Sequence, residues 1–221
     1  MVQTADSKKR HLTCTFKNFN EKKSLSCDIT LAQPRQDTLV IATPWDKKHH
    51  FYYNQKINCL RASGKVQYDG KTYEFDPQTD FAGLDWGRGV WTYDNYWYWG
   101  SGSGVVDGHT FGFNIGYGFG NTSAASENVI FYDGVAHKLD DVTFHISDNY
   151  VDPWKFTSSD GRFEMDFVPI IDRAAKTDVK IILTDQHQVF GRMNGTAILD
   201  DGTKIEIKDF LCFAEEVHNK Y

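Results

Sequence analysis

Asp107-Gly108-His109-Thr110-Phe111-Gly112-Phe113-Asn114-Ile115-Gly116-Tyr117-Gly118-Phe119-Gly120 is the stretch whose reading decides the fold. It opens on an Asp-Gly pair, whose residues accept the positive φ angles of a two-residue hairpin turn, and then alternates strictly. Successive side chains of a strand point to opposite faces. Phe111, Phe113, Ile115, Tyr117 and Phe119 therefore make a wall of rings, and Gly112, Asn114, Gly116, Gly118 and Gly120 leave the other face nearly bare. Glycine inside a strand costs stability and needs a cause. Barrel curvature or close packing is one cause, and room for a ligand is the other.

The pattern spreads along the chain. Five Asp-Gly pairs, at 69–70, 107–108, 133–134, 160–161 and 201–202, sit mostly between alternating segments. Val66 and Tyr68 lead into the first and Tyr73 and Phe75 lead out. Phe163, Met165 and Phe167 follow the fourth, and Ile205 and Ile207 alternate with Lys204, Glu206 and Lys208. These are period-two strands joined by hairpins. Helical periodicity is nearly absent; its best candidate, Arg173-Ala174-Ala175-Lys176, is long enough for one or two turns. The Asp-Gly spacing is irregular, which argues against a propeller or solenoid. The expected fold is all-β, an antiparallel meander closing into a lipocalin-like barrel or strongly curved sheet, because closure removes exposed strand edges. Residues 1–80 are more polar and read as a partial N-terminal β unit with strands near 11–17, 24–32, 38–43 and 57–68; residues 81–221 read as the barrel.

Composition narrows the function classes. Apolar residues make up 40% of the 221 and aromatics 15%, so rings supply much of the core volume. A net charge of −6 with no long basic run argues against nucleic acid as a partner. The first ten residues lack the apolar core of a signal peptide and no run is long enough to span a bilayer, so a cytoplasmic protein is expected. Cys14, Cys27, Cys59 and Cys212 show no CxxC or zinc-like spacing and read as reduced, core-filling thiols.

Several motifs are candidates for chemistry. Asp85 and Arg88 flank Trp86 at a spacing that suits an ion pair at a strand start, structural or tuning a carboxylate. Tyr96-Trp97-Tyr98-Trp99 precedes Gly-Ser-Gly-Ser-Gly, a string without the spacing or following helix of a phosphate loop. Asn114 lies on the glycine face, and Glu127-Asn128 opens a strand. With the barrel interior on that side, Asn114 and Glu127 would be polar groups in an apolar pocket. His187 shares a face with Val189 and reads as a hydrogen-bonded core histidine before a general base. Glu215 and His218 form a Glu-x-x-His spacing that would hold a metal only on a helix, and their flanks are strand-like. No metal or cofactor is expected. The ligand-binding candidates are Trp86, Arg88, Trp97, Trp99, Asn114 and Gly116; the candidates for catalysis are Asp85, Glu127 and His187.

Taken in order, Leu84-Asp85-Trp86-Gly87-Arg88-Gly89, the Trp97/Trp99-Gly-Ser-Gly-Ser-Gly string, Asn114, Glu127-Asn128, Asp133-Gly134, Pro153-Trp154, Asp160-Gly161-Arg162, Pro169, Gln188-Val189-Phe190-Gly191, Glu215 and His218 resemble the DUF2804 family, of unknown function. The resemblance covers nearly the whole chain. It implies a short version lacking part of the usual first half, and an architecture similar to the lipocalin-like AttH and carotenoid 1,2-hydratase group. It carries no catalytic residue over. The first function expected is binding of a hydrophobic or amphiphilic small molecule in an aromatic-lined cavity. The second is a hydratase, isomerase or cyclase on an isoprenoid-like substrate, and the third a carbohydrate-binding surface built on Tyr96 to Trp99.

Overall fold

The computed structural model describes residues 2–5 and 8–221; Met1, Asp6 and Ser7, on which part of the expectation about a signal peptide rests, lie outside the described residues. Among the described residues there are sixteen strands and no helix, and so none long and apolar enough to cross a membrane. The strands pair antiparallel in two sheets. The first sheet holds β1 (Val2–Ala5), β2 (Lys9–Asn20), β3 (Lys23–Ala32), β4 (Leu39–Pro44), β5 (Phe51–Tyr68), β6 (Lys71–Phe75) and β7 (Phe81–Val90). Long β5 is its spine and pairs with β3, β4, β6 and β7.

The second sheet runs from β8 (Asp94–Val106) through β9 (His109–Tyr117), β10 (Val129–Tyr132) and β11 (Val135–Lys138). It continues with β12 (Val142–His145), β13 (Trp154–Ser158), β14 (Phe163–Asp178), β15 (Leu183–Ile198) and β16 (Lys204–Lys220). Its spatial order is β11-β10-β9-β8-β16-β15-β14-β13-β12, so the last strand returns to pair with the first and the two edges, β11 and β12, are neighbours in sequence. Only residues 139–141 join them. In a flat sheet eight spacings of about 4.8 Å would put those edges ~38 Å apart, whereas the four peptide units from Lys138 to Val142 reach at most ~14 Å. The sheet must curl strongly to bring those ends within reach, although β11 and β12 do not pair. Phe144 of β12 accordingly donates its backbone N–H to the Tyr117 hydroxyl of β9 at 3.4 Å.

All five Asp-Gly pairs lie between consecutive, paired strands. At 69–70, 107–108 and 133–134 both residues have positive φ, the geometry of a type I′ turn. The chain at Arg173–Lys176 is not helical. It continues β14, each residue paired with β15 from Gln188 back to Asp185, and the ladder satisfies the backbone that a short helix would leave open. The expected boundary at 80/81 falls one strand before the change of sheet: β7 lies along β5, with Asp85 opposite Lys56, and the second sheet begins at Asp94.

The ring wall faces inward. Phe111, Phe113, Ile115, Phe156, Phe163 and Phe167 are fully buried inside the curled sheet, which is packed with side chains. The two glycine-rich strings interlock there: Gly100, Gly102 and Gly104 of β8 stand opposite Ile115, Phe113 and Phe111 of β9. Each glycine lets a bulky neighbour lie over its backbone; a Cβ on Gly102 would come within 2.7 Å of the Phe210 ring. On the outer face the bulk alternates the other way, Trp99 opposite Gly116, Ser101 opposite Asn114 and Ser103 opposite Gly112. That face meets the first sheet. Phe119 leaves the ring wall because Gly118, at φ +96°, breaks the alternation and turns it outward, against Tyr52 and Trp97.

Close approach explains Gly112: a Cβ there would sit 2.6 Å from Cys59 Sγ of β5 and 3.1 Å from the Gly102 carbonyl. We expect Gly112→Val to lose about 1–3 kcal/mol in a urea melt from overpacking; unchanged stability would mean the sheets are not held this closely.

Candidate functional site

β5 crosses the outer face of β8 and β9. At the crossing Asn58, 3% exposed, points its side-chain amide at the Phe113 carbonyl (2.8 Å), the Gly102 carbonyl (3.2 Å) and Ser101 Oγ (2.9 Å). Cys59 follows with φ +58° at a register shift in β5, and its backbone N–H donates to Ser103 Oγ at 3.0 Å. The seam between the sheets is thus closed by polar contacts at Asn58 and opens beside it.

Two residues earlier, Lys56 faces the same seam with 6% of its side chain exposed. Its Nζ lies 2.8 Å from Asp85 Oδ2, 3.7 Å from Glu127 Oε2 and 4.1 Å from the centre of the Trp99 ring. Two carboxylates and a ring face compensate a cation that burial alone would penalise. Trp99 donates Nε1–H to Asn114 Oδ1 (2.8 Å), and the Asn114 amide donates to the Glu127 carbonyl (2.9 Å). A third carboxylate, Glu215 of β16, accepts from Trp97 Nε1 (3.0 Å) and Gln188 Nε2 (2.9 Å).

Two adjoining cavities flank the Lys56, Asp85 and Trp99 group. One, of about 230 Å³, lies among the rings of Tyr52, Trp91, Trp97 and Phe119, with Glu127 and Glu215 in its wall. The other, of about 330 Å³, extends past Asn58 and Ser101 toward Phe190 and Phe213.

The residues read from sequence divide cleanly. Asp85, Trp97, Trp99, Asn114, Gly116 and Glu127 converge on the seam; Gly116 has no room for a Cβ, which would sit 2.9 Å from the Tyr98 backbone carbonyl oxygen. Trp86 and Arg88 lie exposed on β7, Trp86 edge-on to Tyr53, and Asp85 takes Lys56 as its partner. His187 sits elsewhere, its Nδ1 2.7 Å from Asp172 Oδ2 and its ring stacked on Tyr150 at 3.7 Å. Glu215 and His218 project to opposite faces of β16, and His218 bonds Asp94 at 2.8 Å. Sequence reasoning missed Lys56, Tyr52 and the role of Glu215. The signal for Lys56 was the polar row Asn54, Lys56, Asn58 at every second position, all three buried.

Against known proteins, the family model described as "Domain of unknown function (DUF2804)" matches residues 1–221. The chain belongs to the DUF2804 family. No curated protein matches this DUF2804 chain. Among solved structures it is similar to kievitone hydratase from Nectria haematococca, at 11% identity and a TM-score of 0.46, covering 97% of this chain. The alignment spans 65% of the hydratase chain.

Electrostatics in the DUF2804 seam follow from burial. The Glu215 carboxyl is raised above the ordinary glutamate range, chiefly by burial, with the bonds from Trp97 and Gln188 opposing. The Tyr52 phenol is raised by burial first and then by the charges of Asp85 and Glu127. For an acid raised in the folded state, the folded protein holds its proton more tightly than the unfolded chain. The stability contributed is fully present below the unfolded value near 4.5 and is lost as pH rises through the elevated folded value. Urea melts from pH 4 to 8 should therefore show a fall in stability across that window that Glu215→Gln flattens; parallel profiles would remove the assignment.

Proposed function

We propose that this DUF2804 chain binds a hydrophobic or amphiphilic small molecule in the seam between its two sheets. The supporting observation is the ring-walled cavity beside the buried Lys56, whose lining also holds Asp85, Glu127 and Glu215. The interior of the curled sheet is filled by rings, which leaves the seam as the aromatic-walled space. Apolar burial against Trp97, Trp91 and Phe119 would supply affinity, and Lys56, Asp85 and Glu127 would orient a polar end. Titration with the neutral fluorescent probe N-phenyl-1-naphthylamine tests it. Trp97→Ala should weaken binding about tenfold or more, as loss of a buried aromatic anchor does, while Trp86→Ala should leave it unchanged. Equal effects of both variants would place binding elsewhere, and native mass spectrometry of protein from its own host would weigh the natural occupant.

A second reading, an acid-catalysed hydratase, isomerase or cyclase on an isoprenoid-like substrate, is favoured by one observation: a buried carboxyl of raised pKa, Glu215, beside a tryptophan ring in the cavity wall. A protonated Glu215 would give its proton to an alkene carbon, and ring faces would stabilise the resulting cation. Here Glu215→Gln keeps probe affinity and abolishes turnover of a terpenoid alkene, read by mass spectrometry of products; retained turnover excludes Glu215 as the acid. The Tyr96 to Trp99 string offers less to a sugar. Tyr96 and Tyr98 share one face, and Trp97 and Trp99 on the other already bond Glu215 and Asn114 through their indole N–H groups.

A further inference from the structure

The four thiols fall into two classes. Cys59 and Cys212 are buried, and burial pushes Cys59 up to about 11. Cys14 and Cys27 are half-buried and stand directly opposite each other on β2 and β3, with their Sγ atoms 3.0 Å apart. That separation is about 1 Å longer than a disulfide bond, and the pairing of the ladder already holds both Cβ atoms in place. Both side chains lie on the face that carries Leu12 and Ile29, and because both are only half-buried their sulfurs stay within reach of a small reagent in solution.

We propose that Cys14 and Cys27 are a thiol–disulfide exchange site, forming a reversible cross-strand disulfide with a small-molecule disulfide such as oxidised glutathione as the oxidant. One protein thiolate attacks a sulfur of the reagent, making a mixed disulfide and expelling one glutathione thiolate. The second protein thiolate attacks the protein-side sulfur of that mixed disulfide and expels the other. The two cysteines lose two protons and two electrons, and the reagent takes them up and leaves as two thiols. The Cys27 thiol is raised by burial first and by the neighbouring Cys14 next, so its thiolate is scarce at neutral pH and exchange accelerates as pH rises toward 9. The cross-link closes the β2–β3 hairpin and restricts the unfolded chain, which raises stability.

The test is incubation of the native full chain with oxidised glutathione at pH 8, followed by alkylation and non-reducing peptide mapping. The expected result is a Cys14–Cys27 linked species about 2 Da lighter than the reduced chain, with Cys59 and Cys212 alkylated only after unfolding. Its melting temperature should rise by several degrees, and dithiothreitol should return it. Cys14→Ser should stop at a mixed disulfide on Cys27 and show no such rise. No reaction, a glutathione adduct that persists on the wild-type pair, or a link between two chains would each overturn the proposal. The pair lies on the β2–β3 ladder and the probe site is lined from β5, β7, β8 and β16, so cross-linked protein should bind N-phenyl-1-naphthylamine as the reduced form does. Cross-linking without any probe binding would count against the small-molecule function alone.

Discussion

The contact of the Asn58 amide with the backbone carbonyls of Gly102 and Phe113 fixes how close the two sheets lie. A buried amide and buried carbonyls each cost free energy unless paired, and here each meets the need of the other. The approach it requires leaves no room for side chains at Gly112, and the register shift at Cys59 lets β5 bend into the contact. Lys56 then follows from strand geometry. Two residues before Asn58, it shares that face and is carried into the seam, where a buried ammonium needs carboxylates. The neighbouring β7 supplies Asp85 directly opposite, and the loop before β10 supplies Glu127.

The resulting site combines a fixed charge group with a set of rings whose faces pack mainly on one another. Trp99 is committed, its face to Lys56 and its N–H to Asn114. Trp97 has spent only its N–H, on Glu215, and shares its cavity with Trp91, Tyr52 and Phe119. Phe119 touches Trp45, Tyr52, Trp91 and Trp97, mostly edge to face, so it is the hub of the ring cluster. It owes that position to a single backbone conformation at Gly118.

Local signals in the chain were legible because their causes are local. The Asp-Gly turns need only two residues of suitable backbone freedom, and the alternation in Phe111 to Tyr117 needs only the strand period; both gave the antiparallel, strongly curved meander. The glycines at 112 and 116 were visible as an anomaly, with close packing one of two readings. The site was legible in part. Asp85, Trp97, Trp99, Asn114 and Glu127 stood out by residue type, yet the direction in which they face depended on which side of β9 is interior. Lys56 and Glu215 come into the same seam from strands in different sheets, and no spacing along the chain records that meeting. The ion pair read from Asp85 and Arg88 failed for the same reason: on a strand, residues three apart face opposite ways, and the partner came from across the ladder. β7 looked like the start of the barrel because its Gly-Trp texture matches that of β8, whereas its pairing along β5 is a tertiary fact.

The two faces of β8 answer to separate demands. Gly100, Gly102 and Gly104 are set by the rings they underlie, and changing them disturbs the closure of the curled sheet. Trp97 and Trp99 alternate with those glycines but contribute nothing to that packing. Substitution at these outward positions, and at Tyr52 or Asp85 across the seam, reshapes the cleft while the inner wall stays as it is. Such an arrangement lets the shape of the seam vary without eroding the scaffold, because the alternation of one strand keeps the two kinds of change apart.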